Sequence, residues 1–492
     1  TESGIRLHVR SQRKANLGKY RAGIDIGGTF TDVVLLGDDG RVIVRKLAST
    51  PDDYSRSVLE GLAQAMRDLN VEPSEISELS HGFTVATNAI LEGKGERTAL
   101  VTTEGFRDVL EIARLRVPRL YDLDYEKPPP LVERRLRFEV NERMNFRGEV
   151  ISPLDPSDVE RVATAVSETG VKSVAISLLH AYANPAHETR IAEVIRSRMP
   201  NVDLSVSSEL LPEMREYERT STTVINAYVK PVVSSYLTRL KRGIQDMGIQ
   251  IPMTVMQSNG GLTPVRAAID RPITCIESGP AAGVVGGLHL GKRLGEENLM
   301  TFDMGGTTAK ASIIEAGRML LSQEYEVGGG MSASHRLMKG SGYVLRVPAI
   351  DLAEVSSGGG SIAWVDKSGS LQCGPQSAGA IPGPVCYAKG GEAPTVTDAN
   401  VTLGFLNPEH LLGGLFRLDA DGASRSVKEK VGGRLGLSES EAAYGIHLLA
   451  NSNMARALRA VSSERGRDPR RFTLMAFGGG GPIHAAGLAE ML

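Results

Sequence analysis

Two Asp-apolar-Gly-Gly-Thr segments occur in this sequence, at Asp25–Thr29 and Asp303–Thr307. A turn made of two glycines and a threonine lets the backbone approach an anion, because no Cβ intervenes and successive N–H groups can converge on the same oxygens. The aspartate before each turn suits a hydrated Mg²⁺ held against phosphates, since this ion keeps most of its waters. One such segment alone is equally typical of a tight hairpin. Two copies predict a nucleotide site.

A third glycine turn, Gly478–Gly481, follows an apolar segment and precedes a helical pattern that begins near Pro482. We interpret it as a further ligand-facing turn, which strengthens the prediction of a nucleotide. The sequence has no G-x-x-x-x-G-K-[ST] segment, which excludes a P-loop enzyme. No G-x-G-x-x-G opens a βαβ unit early in the chain.

The surrounding hydrophobic pattern predicts the elements that position these turns. Each Asp-Gly-Gly-Thr segment ends one apolar strand and begins another, and the alternation of strands and helices that follows indicates an α/β fold. The repeat predicts two similar lobes around a shared cleft, at 20–205 and 206–492, after a basic tail at 1–19. A long helical pattern at 220–247 is predicted to cross between the lobes, and the proline-rich segment 114–148 is predicted to be irregular.

Composition narrows the class of protein. The 492 residues include 56 Lys+Arg and 58 Asp+Glu, and the net charge of −2 gives no support to nucleic-acid or membrane-surface binding. No apolar run reaches the roughly 18 residues of a spanning helix. The three cysteines form no C-x-x-C pair, which favours a reducing, cytoplasmic compartment. The 55 glycines include several runs, three of which are the turns described above.

The three turns resemble the phosphate-1, phosphate-2 and adenosine motifs of the superfamily of actin, sugar kinases and the seventy-kilodalton heat-shock proteins. More narrowly, the chain resembles the A subunit of the hydantoinase/oxoprolinase family. The segments that carry this resemblance are 81–89, 121–143, 277–283, 357–366, 382–387, 394–400 and 477–484. The resemblance implies two actin-like (ribonuclease-H-like) lobes around an ATP cleft with inserted irregular segments. It also implies a B-type partner subunit in a hetero-oligomer, and a C-terminal region beyond Leu492 that this sequence does not contain.

The resemblance also assigns roles to residues. Asp25 and Asp303 are the predicted catalytic residues, and both would bind Mg²⁺ through water. The predicted ATP-binding residues are Gly27, Gly28, Thr29, Thr31, Gly305, Gly306, Thr307, Thr308, Gly478, Gly479, Gly480 and Gly481. The predicted substrate-binding residues are His81, Thr84, Thr87, Asn88, Gly359 and Gly360.

Several of these residues, and some of their neighbours, have simpler interpretations. Thr87 or Asn88 can be the N-cap of a helix that starts at Ala89. Lys310 is more typical of a charged strand residue than of a phosphate ligand. Asp398 and Asn400 are more typical of a helix cap than of a binding site, and Cys386 of a packed thiol. His335, Asp351 and Glu354 could line a substrate pocket near Gly358–Gly360, but they lack the spacing of a metal site.

The resemblance implies ATP-dependent hydrolysis that opens the ring of a small cyclic amide: a hydantoin, N-methylhydantoin, 5-oxoproline or a related lactam. This subunit would bind ATP and phosphorylate the amide oxygen, because an amide carbonyl is a poor electrophile until its oxygen becomes a leaving group. An ATP-dependent ketone carboxylase of the acetone or acetophenone type is the alternative. A nucleotide-switched chaperone or activator is a second alternative, but the sequence has neither the cysteine cluster nor the β-rich tail of such proteins.

Overall fold

A computed structural model describes residues 20–28, 30–50, 52–115, 126–328, 342–410 and 416–492, and the backbone of 331–333 and 336–338. The predicted basic tail at 1–19 lies outside these residues. In the described part of the chain the fold is mixed α/β, as predicted. No helix within these ranges is long and apolar enough to cross a membrane.

The strands, in chain order, are β1 Tyr20–Ile26, β2 Phe30–Gly37, β3 Val42–Ala48, β4 Ile76–Phe83, β5 Thr98–Thr103, β6 Arg137–Val140, β7 Arg143–Met144, β8 Val150–Ser152, β9 Ser173–Ser177, β10 Asp203–Val206, β11 Met253–Met256, β12 Leu262–Pro264, β13 Leu299–Met304, β14 Ala309–Glu315, β15 Arg318–Met319, β16 Leu321–Ser322, β17 Tyr325–Val327, β18 Met331–Ala333, β19 Arg336–Met338, β20 Tyr343–Leu345, β21 Ala349–Ile350, β22 Ala353–Val355, β23 Ser361–Val365, β24 Leu371–Ser377 and β25 Thr473–Phe477. The α-helices are α1 Tyr54–Leu69, α2 Val85–Leu91, α3 Val109–Ile112, α4 Pro156–Glu168, α5 Ala186–Arg198, α6 Ser207–Leu210, α7 Glu216–Asp246, α8 Val265–Asp270, α9 Ser278–Leu294, α10 Val396–Thr402, α11 Ala420–Val427, α12 Gly433–Leu435, α13 Glu439–Val461 and α14 Gly481–Glu490.

The first sheet has the strand order β12-β11-β4-β1-β2-β3. Strand β1 is antiparallel to β2 and parallel to β4. Burial alternates along β2, which places Val33 and Leu35 in the core beneath α1. Helix α1 begins where the Asp53 side chain accepts a hydrogen bond from the backbone N–H of Ser55.

A second sheet repeats this arrangement, as the sequence repeat predicts. Its strand β13 is antiparallel to β14 and parallel to β25, and β14 also pairs with β15 and β22. Asp25 lies opposite Asp32 and Gly82 in the first sheet. Asp303 lies opposite Lys310 and Phe477 in the second. Each aspartate therefore occupies the same place in its sheet.

A third sheet has four parallel strands in the order β10-β9-β5-β6. Every residue of β9 is buried, as expected for a central strand covered on both faces. The prediction of an irregular segment at 114–148 is wrong at Arg137–Val140, because these residues pair with β5 as a regular edge strand. Residues 116–125 of that segment lie outside the described part of the chain.

Helix α7 joins the first sheet to the parallel sheet. Its residues Val233 and Leu237 pack in the core of the first sheet, and Val224 and Ala227 pack in the core of the parallel sheet. None of its residues belongs to the core of the second sheet. The crossing of this helix between two nucleotide lobes stays a prediction. Strands β11 and β12 then return to the first sheet, which therefore extends past the predicted boundary between residues 205 and 206.

Candidate nucleotide site

The two Gly-Gly-Thr turns have the same backbone hydrogen bond. The N–H of Gly27 donates to the carbonyl of Phe30 at 2.9 Å, and the N–H of Gly305 donates to the carbonyl of Thr308 at 3.0 Å. Gly28, Gly306 and Thr307 are exposed at the tips of the turns. The backbone at the tips of both turns is therefore accessible to a ligand. Thr29 lies outside the described residues, so its predicted role stays a prediction.

The third turn lies beside the second one because β25 pairs directly with β13. Gly478 has φ +80°, and a Cβ at this position would overlap Asp303 Oδ1 and lie 2.6 Å from the carbonyl of Met304. The N–H of Gly480 donates to the same carbonyl at 3.1 Å. Gly478 and Gly479 are exposed, and Gly481 begins α14. Only glycine fits where the third turn crosses Asp303.

Asp25 lies against two glycines from other elements. A Cβ at Gly82 or Gly279 would lie 3.1 or 3.0 Å from Asp25 Oδ1. Gly82 belongs to β4, and Gly279 belongs to the first turn of α9. Neither glycine was predicted to be a site residue, although both fall in segments that carry the family resemblance.

The pKa values of both aspartates are raised. Asp25 is exposed to solvent, but nearby protein atoms reduce the hydration of its carboxylate. This loss of hydration, followed by the charges of Asp32 and Asp303, raises the pKa of Asp25 to about 6. Burial is also the main reason why the pKa of Asp303 is raised. Repulsion between neighbouring carboxylates is relieved by a divalent cation, so the residues present fit a water-bound Mg²⁺.

A buried ion cluster that sequence analysis missed supports the second turn. Lys310 forms an ion pair with Glu277 and lies 3.6 Å from Glu354 Oε1. Burial would lower the pKa of Lys310, but the two carboxylates outweigh it and the pKa is raised. Lys310 is thus engaged within the protein, in agreement with its interpretation as a strand residue.

Glu277 makes this cluster a link between the two turns. It precedes α9 with φ +64°, a conformation that non-glycine residues rarely adopt. From there it holds Lys310 on β14, while Gly279 two residues later touches Asp25. Burial and the charges of Glu277 and Glu354 also raise the pKa of Tyr325, which places this phenol in the cluster.

Thr31, a predicted ATP-binding residue, has its side chain in the core rather than at the tip of the first turn. Thr31 is fully buried, and its hydroxyl lies 3.1 Å from that of Ser49 and 2.8 Å from that of Ser57. Ser49 in turn donates to the carbonyl of Gly27 at 2.8 Å. Alternation along β2 directs Thr31 into the core, where it supports the first turn from below.

His81 is likewise an interior residue rather than a substrate ligand. It is 1% exposed, with Nε2 2.7 Å from the hydroxyl of Tyr236 and Nδ1 3.3 Å from the carbonyl of Ile24. Burial lowers the pKa of His81 to about 4. The imidazole is therefore neutral at physiological pH and fixes β4 to α7.

Because His81 is buried, we expect the protein to lose stability in acid. Between about pH 6.5 and 4 the unfolded chain binds a proton at this residue and the folded chain does not, so the free energy of unfolding falls as the pH falls. The expected contribution is about 1.4 kcal/mol per pH unit across that window. Urea denaturation from pH 4 to 7 should show a shallower pH dependence for His81→Phe than for the unsubstituted protein. Equal slopes would contradict the assignment.

The other predicted substrate residues on this segment lie beside the first turn. The hydroxyl of Thr84 donates to the carbonyl of Ile26 at 3.1 Å, and Asn88 Nδ2 donates to Thr84 Oγ1 at 3.3 Å. A Cβ on Gly28 would lie 3.6 Å from Asn88 Nδ2. The N-cap interpretation of Thr87 or Asn88 is wrong, because α2 already begins at Val85. The Thr87 hydroxyl is buried without a hydrogen-bond partner.

Gly359 and Gly360 support the second turn. Their N–H groups donate to the carbonyls of Gly305 and Gly306 at 3.1 and 2.7 Å. A Cβ on the preceding Gly358 would lie 2.7 Å from backbone atoms of Gly306 and Thr307. Close backbone packing requires glycine at Gly358. The N–H groups of Gly359 and Gly360 are already used in these hydrogen bonds and are not available to a substrate.

The segment 395–400 is structural. Asp398 closes a capping box with Thr395 at the start of α10, which confirms its interpretation as a cap. Asn400 is not a cap: its amide donates to His484 Nε2 at 3.1 Å and accepts from His447 Nδ1 at 2.9 Å. This buried network ties α10 and α13 to α14, the helix after the third turn.

The remaining candidates that the structure describes are engaged in contacts within the protein. Cys386 is fully buried and burial raises the pKa of its thiol, which confirms a packed cysteine. Asp351 pairs with Arg465, and Glu354 belongs to the ion cluster. His335 lies outside the described residues. Within the described ranges, no group of three or more His, Cys, Asp or Glu side chains could hold a metal ion.

Comparison with known proteins decides the family. The model of the hydantoinase/oxoprolinase family matches residues 219–492, and the model of the hydantoinase/oxoprolinase N-terminal region matches residues 21–199. The chain belongs to the hydantoinase/oxoprolinase family. The resemblance recognised in the sequence is thus confirmed, and the predicted boundary at 205/206 falls between the two matched regions, although the first sheet extends across it.

Relatives within the hydantoinase/oxoprolinase family include the caprolactamase subunit alpha of Pseudomonas jessenii, which is 40% identical over 96% of this chain and 67% of its own length. The crystal structure of ATP-dependent caprolactamase from the same organism matches with a TM-score of 0.82 at 39% identity, covering 96% of this chain and 67% of that chain. A nucleotide-free structure of acetone carboxylase, from work on ATP-dependent acetone carboxylation, matches with a TM-score of 0.82 at 27% identity over the same shares of the two chains. The chain therefore spans about two thirds of the length of these relatives.

Proposed function

We propose that this chain binds ATP and Mg²⁺ between its three glycine turns and phosphorylates the oxygen of a cyclic amide, so that water can open the ring. One observation carries the proposal: the two Asp-apolar-Gly-Gly turns have the same backbone hydrogen bond and the same place in their sheets, and the third glycine turn packs on Asp303. The relatedness to a caprolactamase subunit supports a lactam as the substrate class. The actin-like two-lobe arrangement is part of this proposal.

The turns supply what phosphoryl transfer requires, namely position and charge neutralisation. Exposed N–H groups at Gly28, Gly306 and Thr307 would bind the phosphate oxygens, and Gly478–Gly481 would lie against the adenosine. Asp25 and Asp303 would hold Mg²⁺ through its waters, and the ion would neutralise charge on the transferring phosphoryl group. Lys46, which pairs with Asp32 at 2.6 Å, opposes the rise in the pKa of both aspartates and would add a cation near the phosphates.

The proposed reaction has three steps. The amide oxygen attacks the γ-phosphorus, an O–P bond forms, the bond from the γ-phosphorus to the bridging oxygen breaks, and ADP leaves. Water then adds to the ring carbon of the phosphorylated imidate, and the C–N bond breaks, so that the ring nitrogen leaves as an amine and an acyl phosphate remains. A second water hydrolyses the acyl phosphate to a carboxylate and phosphate. We propose that a B-type subunit contributes to the two hydrolytic steps within a hetero-oligomer, because the matched relative is itself a subunit.

The test is ATP hydrolysis measured with a panel of hydantoins and lactams in the presence of the partner subunit. We expect one class of cyclic amide to stimulate turnover at least tenfold, with ring-opened product equal to the ADP formed. No stimulation by any cyclic amide would contradict the proposal. The match to acetone carboxylase supports a ketone carboxylase as the second candidate. Bicarbonate-dependent ADP formation with acetone or acetophenone would favour it.

A further inference from the structure

A row of three charged residues crosses the first sheet below the first glycine turn. Asp25 on β1 lies opposite Asp32 on β2, and Asp32 lies opposite Lys46 on β3. Residues directly opposite each other on neighbouring strands project from the same face of a sheet. Lys46 therefore projects from the face that carries Asp25, and its backbone lies two strands away, at about 10 Å.

The ammonium of Lys46 lies beside both Asp32 and the strand residue next to the turn. Lys46 Nζ donates to the two carboxylate oxygens of Asp32 at 2.8 and 2.6 Å, and it lies 5.1 Å from the centre of the Phe30 ring. Phe30 begins β2, and its carbonyl accepts the N–H of Gly27 in the turn. Lys46 also opposes the rise in the pKa of both aspartates that precede the glycine turns. Its charge thus acts on both halves of the candidate site.

The equivalent row of the second sheet has its charges in the opposite order. Asp303 is followed on the next strand by the base Lys310, and an acid occupies the strand after that. The Lys310 side chain is only 12% exposed and forms an ion pair with the buried Glu277. The Lys46 side chain is 32% exposed, and within the described part of the chain its one ion-pair partner is Asp32. Of the two lysines, Lys46 is therefore the one that a bound phosphate can reach.

The pair of Lys46 with Asp32 is of a kind that a stronger anion displaces. The two side chains are 32% and 36% exposed, and ion pairs this close to solvent contribute little to stability. A terminal phosphate carries more negative charge than one carboxylate, and lysine binds phosphate as a point charge on a flexible stem. Lys46 can therefore leave Asp32 for a phosphate without a large loss of stability.

We propose that Lys46 binds the γ-phosphate of ATP, that it leaves Asp32 to do so, and that it is the residue that distinguishes ATP from ADP. The inference rests on the proposed function, which places the transferring phosphoryl group between Asp25 and Asp303. It adds a direct contact with the nucleotide and a change of partner for one side chain.

The experiment compares two nucleotides on the full chain in the presence of Mg²⁺. Binding of the non-hydrolysable analogue β,γ-imido ATP and of ADP is measured by calorimetry. Lys46→Met removes the ammonium and keeps an apolar stem over Phe30. Because a hydrogen bond to a charged group is lost, we expect this variant to bind the ATP analogue at least about tenfold more weakly, with the affinity for ADP unchanged.

Arg45→Met is the matched control. Arg45 is the preceding residue of β3, and it donates to Asp68 of α1 at 2.6 Å. Successive side chains of a strand point to opposite faces, so Arg45 projects away from the row. We expect the affinities of Arg45→Met for both nucleotides to equal those of the unsubstituted protein. Weaker binding of the ATP analogue to this variant, equal to that of Lys46→Met, would overturn the proposal.

Asp32→Asn separates a phosphate contact from a structural ion pair. The substitution removes the partner of Lys46 and keeps the ammonium, so we expect the ATP analogue to bind at least as tightly as before. The proposal is overturned if Asp32→Asn reproduces the loss caused by Lys46→Met, or if Lys46→Met affects both nucleotides equally or neither. Loss of discrimination in Lys46→Met, without stimulation of turnover by any cyclic amide, would support Lys46 and contradict the proposed function. Lactam-stimulated turnover together with unchanged discrimination in Lys46→Met would do the reverse.

Discussion

Asp25→Asn is expected to lower the rate of ATP turnover by at least about 10³-fold and to leave the fold intact. The substitution keeps the shape of the side chain and removes the charge that would hold Mg²⁺ against the phosphates or accept a proton. It also removes repulsion by Asp32 and Asp303, so thermal stability should be unchanged or higher. Steady-state ADP release and thermal unfolding of the intact assembly measure the two effects.

Asp38→Asn is the matched control for this substitution. Asp38 lies in the exposed turn between β2 and β3, at the end of the first hairpin remote from the Gly27 turn. We expect it to preserve turnover. If Asp25→Asn retained a rate within tenfold of the unsubstituted protein, the first Gly-Gly-Thr turn would not be the phosphate site.

Gly478→Ala is expected to reduce ATP turnover at least about 100-fold and to weaken nucleotide binding. The added methyl group would overlap Asp303 Oδ1 and the backbone of Met304. Neither can retreat freely, because Met304 pairs with β14 and Asp303 pairs with both β14 and β25. The third turn must therefore move away from the second. Nucleotide affinity by calorimetry and turnover by ADP release report the displacement.

A control must separate the effect of positive φ alone from the effect of the overlap with Asp303. Gly466 has φ +77°, close to that of Gly478, but a Cβ there meets nothing within 4 Å. Gly466→Ala therefore introduces the same backbone strain, about 1 kcal/mol, without displacing a turn. We expect its nucleotide affinity to be unchanged. Equal losses in the two variants would show that general destabilisation, and not the Asp303 contact, explains the effect of Gly478→Ala.

Local sequence predicted the parts of the molecule whose geometry is local. A hairpin turn depends on glycines at consecutive positions, so Gly27–Gly28 and Gly305–Gly306 could be recognised together with the strands around them. The same holds for the capping box of Thr395 and Asp398, whose partners are three residues apart.

Other predicted binding residues lie inside the protein, because the sequence does not show which face of a strand packs against other elements. Thr31 and His81 have side chains suited to binding, but their strands direct them inward to Ser57 and Tyr236, which belong to distant helices. Gly359 and Gly360 contact backbone more than 50 residues earlier in the chain. No local pattern contains those partners.

The sequence by itself therefore determined the family, the α/β class and the three turns, because short motifs with strict backbone requirements carry this information. Only the tertiary structure decided that Gly478 lies on Asp303, that Gly82 and Gly279 lie on Asp25, and that Glu277 and Lys310 join the two turns. These contacts link segments that are far apart in the chain. They exist only once the sheets and α9 have packed together, because burial and charge at each residue are set by neighbours that folding supplies.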